Sequence, residues 1–242
     1  ITSRNPAGPW SDPVFVEHAD GIDSSLFFDD DGSMWYTGNF ICPEALFEGH
    51  HGIYLCELDP ETFQFKGERH VIWDGNQSRN KWLEAPHIYK KDGYYYLIVA
   101  EGGTFINHSV MMARCTAIDG TYEICPRNPI VTHRHLSPLS DISVTGHADI
   151  VETTTGEWWM VLLAVRPYQN DSSLSTTDGC GHFHYNLGRE TFMAPVIWDE
   201  DGWLRLANET GLINRKERLP ELPASYVPLA DPNDDFESDN LA

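Results

Sequence analysis

One pattern, written three times at nearly even spacing, constrains this chain more than anything else in it. Each copy runs from a short apolar stretch through a polar turn ending in glycine into a stretch of aromatic and aliphatic residues. The copies are Asp23-Ser24-Ser25-Leu26-Phe27-Phe28 to Gly32 to Met34-Trp35-Tyr36, Glu84-Ala85-Pro86-His87-Ile88-Tyr89 to Gly93 to Tyr94-Tyr95-Tyr96-Leu97-Ile98-Val99, and His147-Ala148-Asp149-Ile150-Val151 to Gly156 to Trp158-Trp159-Met160-Val161. β-branched and aromatic runs on either side of a glycine turn form hairpins. From Gly32 to Gly93 is 61 residues, and from Gly93 to Gly156 is 63. Further short strands are expected at 52–59, 71–75, 110–115, 194–198 and 203–206, and no stretch has the period of an amphipathic helix. A repeat of this length holding several short strands predicts an all-β fold of propeller type. One such sheet cannot bury both its faces, and stacking blades around an axis does so.

The register of the repeat singles out three ionisable residues. Nine positions before the turn glycines stand Asp23, Glu84 and His147. Singly, each has a plainer reading: an Asp caps a turn, a Glu faces water, a His bonds a carbonyl. Equivalent positions of successive blades are related by rotation about the axis. Three such residues at the head of the innermost strand would therefore converge on one mouth of the central channel, a place for proton transfer.

Composition narrows the classes of function. Sixteen basic against 37 acidic residues leave a net charge of −21, which excludes the basic footprint of a nucleic-acid binder. A neutral substrate suits that field better than a phosphorylated one. No run of apolar residues is long enough for a membrane-spanning helix, so no membrane role is expected. The cysteines, Cys42, Cys56, Cys115, Cys125 and Cys180, are scattered and odd in number, against a zinc site or a disulfide framework. They read as free thiols of a reducing compartment, giving a cytoplasmic expectation. The run Asp29-Asp30-Asp31-Gly32 lacks the spaced ligands of a calcium loop and reads as a solvated turn.

Five short motifs then resemble, in order, glycoside hydrolase family 43, closest to its β-xylosidases and β-xylosidase/α-L-arabinofuranosidases. They are Gly21-Ile22-Asp23-Ser24-Ser25-Leu26-Phe27, Glu84-Ala85-Pro86-His87-Ile88-Tyr89, Ala100-Glu101-Gly102-Gly103-Thr104, Gly146-His147-Ala148-Asp149-Ile150-Val151-Glu152 and Leu187-Gly188-Arg189-Glu190-Thr191. The resemblance covers about residues 5–215. It implies a five-bladed propeller of which this chain holds roughly four blades, about what dividing its length by the repeat suggests. It also implies inverting hydrolysis that releases xylose from the non-reducing end of xylo-oligosaccharides. An α-L-arabinofuranosidase of the same family, or a sugar-binding propeller that has lost catalysis, are the alternatives.

By the same resemblance Glu84 would be the general acid, and Asp23 would raise its pKa and hold its orientation. Arg189 would bond the sugar hydroxyls. His147 would lie near the axis, in contact with substrate or with the metal ion that some relatives hold there. No cofactor is required, and calcium is the ion that such an axial position would take.

The resemblance departs at both ends. The family's general base is an Asp in an Asn-Pro-Asp-Pro-like stretch, and neither Asn5-Pro6-Ala7-Gly8 nor Asn128-Pro129-Ile130 supplies it. Asp234-Asp235-Phe236-Glu237 resembles the start of a β-sandwich. Residues 1–215 are therefore expected to form a partial catalytic propeller, and 216–242 a linker into a truncated sandwich. A companion N-terminal segment, or self-association, is expected to cover the open edge.

Overall fold

The computed structural model describes residues 1–137, 140–168 and 184–225. Cys180, the whole loop 170–181 and the sandwich-like segment from Asp234 lie outside them.

The described residues make three antiparallel sheets, each built in chain order. The first contains β1 (Ser25–Phe28), β2 (Met34–Ile41), β3 (His51–Leu58) and β4 (His70–Asp74). The second contains β5 (Glu84–Lys91), β6 (Tyr94–Glu101), β7 (Ser109–Cys115) and β8 (Glu123–Ile124), with β9 (Val131–Thr132) also pairing β7. The third contains β10 (Ser143–Glu152), β11 (Trp158–Val165), β12 (Glu190–Trp198) and β13 (Leu204–Leu206). Each repeated hairpin opens one sheet: β1–β2, β5–β6 and β10–β11. The only helical turn among the described residues is a 3₁₀ turn at Gly75–Gln77, capped by Asp74. Three sheets, rather than four, are found because residues 1–24 form no strand and none follows Leu206 among the described residues. Dividing chain length by the repeat counted those residues as though they built a blade.

The second sheet is the centre of the stack, and β6 shows how the sequence arranges that. Its alternate side chains Leu97 and Val99 join Ile53, Leu55 and Trp73 of the first sheet. Tyr96 and Ile98 join Ile150, Met160 and Leu162 of the third. The next strand divides likewise: Met111 and Ala113 face the first sheet, Val110 and Met112 the third. A strand buried on both faces needs apolar residues at every position, which explains the unbroken run Leu97-Ile98-Val99-Ala100. Trp73, Leu97, Ile98, Val99 and Met112 are fully buried. At about 1.5–3 kcal/mol for each large apolar side chain taken out of water, these two interfaces supply most of the cohesion between sheets.

The first strand of each sheet also touches the first strand of the next, β1 against β5 and β5 against β10. The innermost strands therefore carry the repeat, as the sequence register requires. Among the described residues, the outward faces of the two flanking sheets are covered only in part, Tyr54 by Arg69 and Trp159 by Arg218. Leu26, Phe28 and Val71 are at least half exposed on the first. Val151, Met193 and Ile197 are exposed on the third.

Candidate functional site at the head of the innermost strands

Asp23, Glu84 and His147 meet. One ligand-type atom from each lies within 4.8 Å of the others, at the point where β1, β5 and β10 come together. The local backbone explains why these side chains point inward. Asp23 (φ 55°), Ala85 (φ 50°) and His147 (φ 52°) all adopt the left-handed conformation, uncommon for residues with a Cβ. The β5–β6 register slips between Glu84 and His87, and the β10–β11 register slips between Gly146 and Asp149. A bulge at the same level of two blades re-aims one side chain out of the pleat and toward the axis.

Electrostatics separates the roles of the three. Glu84 is 9% exposed. Burial pushes its carboxyl above the ordinary range, the negative charge of Asp23 pushes it further, and the guanidinium of Arg189 pulls the other way. Burial pushes the His147 imidazole down, toward the neutral form. The Asp23 charge opposes this, while His87 and Arg189 add to it. Arg189 stands just ahead of β12, near enough for its charge to act on Glu84, His147 and His108. All four residues singled out by the sequence are thus brought to one place.

Several neighbours escaped the sequence reading. His87 Nδ1 stands 4.0 Å from Asp149 Oδ2 beside a small cavity that His147 and Thr191 also line. Tyr89 donates its hydroxyl hydrogen bond to Asp149 and accepts one from the Ile150 N–H at 3.0 Å. Both His87 and Tyr89 sit inside a recognised motif, so motif membership was the available signal. His108 had no such signal. It is wholly buried behind the bulge, bonded through Nδ1 to the Val144 carbonyl at 3.2 Å. A Cβ on Gly146 would come within 2.4 Å of its ring, so only glycine fits there. Burial drives His108 down to about 4.

The described residues at the axis would supply only part of a calcium shell. Ca²⁺ takes about six to eight oxygen ligands. Here the chain offers two carboxyl groups and an imidazole, and one carboxyl is driven toward its neutral form. A second convergence, Cys42, His50 and Asp74, is unsuited to a cation. His50 Nδ1 accepts from the Leu46 N–H at 3.3 Å, so Nε2 carries the proton and gives it to Asp74 Oδ1 at 2.6 Å. That arrangement latches the loop before β3.

An all-β stack of blades whose innermost strands bring a buried carboxyl of raised pKa beside a second carboxylate is a propeller with a paired-carboxyl centre. The chain belongs to glycosyl hydrolase family 43, whose model matches residues 1–204. It is 45% identical over 206 residues to a xylosidase/arabinosidase of Butyrivibrio fibrisolvens, covering 84% of this chain and 37% of that protein. Against a non-reducing end α-L-arabinofuranosidase of Bacteroides ovatus the identity is 36%, over 100% of this chain and 41% of the relative. The crystal structure of a xylan β-1,4-xylosidase from Bacillus halodurans superimposes with a TM-score of 0.84 at 36% identity, over 98% of this chain and 42% of that one. The chain therefore spans about two fifths of the length of these proteins.

Proposed function

We propose that the protein carrying this chain is an exo-acting glycosidase that inverts configuration and releases xylose from the non-reducing end of xylo-oligosaccharides. The observation that carries this reading is the environment of Glu84: a buried carboxyl, with a charged neighbour within reach, stays protonated at pH values where an ordinary Glu has ionised. Such a group can protonate a departing glycosidic oxygen. In this reading Glu84 is the general acid, Asp23 raises its pKa and orients it, and Arg189 holds sugar hydroxyls. His147, pushed toward its neutral form by burial, offers a hydrogen bond to substrate.

The base is a third carboxylate. Inverting enzymes keep acid and base about 6.5–9.5 Å apart so that a water fits between them. Asp23 and Glu84, within 4.8 Å, leave no room for it. We assign the base to a companion portion of the protein, lying on the partly covered faces of the flanking sheets. The four described cysteines are free thiols, which supports a reducing, cytoplasmic setting.

The test is turnover by the full-length protein of nitrophenyl β-xyloside and nitrophenyl α-arabinofuranoside in parallel. Faster xyloside cleavage with inverted product supports the reading, and preference for the arabinoside replaces it with the second reading, an α-L-arabinofuranosidase. That second reading is favoured by the 36% identity to the Bacteroides ovatus protein. Sugar binding without turnover by either substrate would sink both.

A further inference from the structure

We propose that Asn39 is a positioning residue that fixes the spacing of the axial carboxyl pair by tying together the two backbone segments that carry it. This deepens the acid–base reading above and rests on it for its kinetic consequence, though not for its geometry. Asn39 lies near the end of β2 and is 4% exposed. Its Oδ1 accepts the Ile22 N–H at 2.8 Å, one residue before Asp23. Its Nδ2 donates to the Leu83 carbonyl at 3.2 Å, one residue before Glu84. One amide thus bridges two blades immediately behind the two carboxyl groups.

A second bond brackets the pair from the other side. Ser25 Oγ, two residues after Asp23, donates to the Pro86 carbonyl, two residues after Glu84, at 2.6 Å. The pair is therefore held fore and aft, and the left-handed residues Asp23 and Ala85 fall between the two ties.

The chemistry requires this side chain. A bridge from an N–H to a carbonyl needs an acceptor and a donor on one short group, and the carboxamide carries both. An Asp could accept from Ile22 but not donate to Leu83, and an aliphatic residue could do neither. The repeat marks the position as unusual. Seven residues after the turn glycine stand Asn39, Ala100 and Leu163, so the other two sheets place an apolar residue there. Gly21 answers to the same device: a Cβ on it would lie 2.0 Å from the Asn39 carbonyl oxygen and 2.3 Å from Oδ1. The space that admits the bridge exists because Gly21 has no side chain.

The expected consequence is selective. A loosened pair protonates a poor leaving group badly, whereas an activated aryl leaving group needs little protonation. In the full-length protein, Asn39→Leu should lose at least about tenfold more kcat/KM on xylobiose than on nitrophenyl β-xyloside, a fraction of the 10²–10⁴ that general acid catalysis supplies. An equal loss on both substrates, accompanied by a lower melting temperature, would reduce Asn39 to a structural residue and overturn the proposal. Should Asn39→Leu not fold, Asn39→Asp, which keeps the volume and the acceptor for Ile22, carries the same comparison. The crystal structure of either variant decides the geometry without any turnover. Asp23 and Glu84 should separate beyond their present 4.8 Å limit, and an unmoved pair overturns the proposal. A wild-type protein that cleaves neither sugar would refute the glycosidase reading while leaving this structural arm to decide on Asn39.

Discussion

At the residue scale, Glu84 carries most of the consequences. Glu84→Gln should cost about 10²–10⁴ in kcat on unactivated xylosides and far less on nitrophenyl ones, read from steady-state kinetics on both. The same substitution should stabilise the fold. A carboxyl whose folded pKa is raised favours folding fully below its ordinary value of 4.5, and that contribution is lost as pH rises through the higher folded value. Removing the charge therefore gives Glu84→Gln a higher Tm at pH 7 and no advantage near pH 4, a calorimetric comparison at two pH values. Asp23→Asn should move the alkaline limb of the kcat/KM profile to lower pH. That limb reports loss of the acid's proton, and Asp23's charge adds to burial in holding the proton on. An unmoved limb would remove Asp23 from that role. His108 works in the opposite sense. Its folded pKa of about 4, against 6.5 in the unfolded chain, makes the fold lose stability as pH falls between those values, by an amount on the order of 3 kcal/mol.

At the element scale, the two bulges and their glycine matter more than strand propensity. Gly146→Ala would drive a Cβ against the buried His108 ring, which cannot swing away, and should destabilise by about 1–3 kcal/mol while displacing His147. Gly67→Ala is the control: no atom lies within 4 Å of its Cβ position, although its φ of +95° still carries backbone strain. Denaturant melts of the two variants should rank them in that order. The hairpins themselves were legible because their signals are local: alternation, turn glycines and aromatic runs act over fewer than ten residues. The bulges were not legible, since a left-handed Asp23, Ala85 or His147 carries no residue signature of the kind a glycine gives. Asn39 left a trace, a polar residue in a register that is otherwise apolar, but its two partners lie 17 and 44 residues away in sequence.

At the scale of the whole molecule, the outward faces of the two flanking sheets keep exposed apolar side chains beside the parts that other described residues cover, Tyr54 under Arg69 and Trp159 under Arg218. Leu26, Phe28 and Val71 on one side and Val151, Met193 and Ile197 on the other are the kind of surface that recruits a covering partner. The chain on its own is expected to self-associate, with a native mass above 27.4 kDa by light scattering. Leu26→Lys with Phe28→Glu should reduce that association, and a compact monomer for the unsubstituted chain would count against the covered-face reading.

The sequence by itself determined the three hairpins, their recurrence and the register that aligned Asp23, Glu84 and His147, because a repeat imposes the same local physics at each copy; the short strands β8 and β9 left no such signal. Arg189 came from the motifs alone, since it has no counterpart in that register. What only the tertiary structure decided was how close those side chains come and what charge they hold. Distance between blades depends on bulges, on a glycine under His108 and on an amide spanning two sheets. Protonation depends on burial and on neighbours contributed by distant strands. Both are properties of the packed assembly, and no window along the chain contains them.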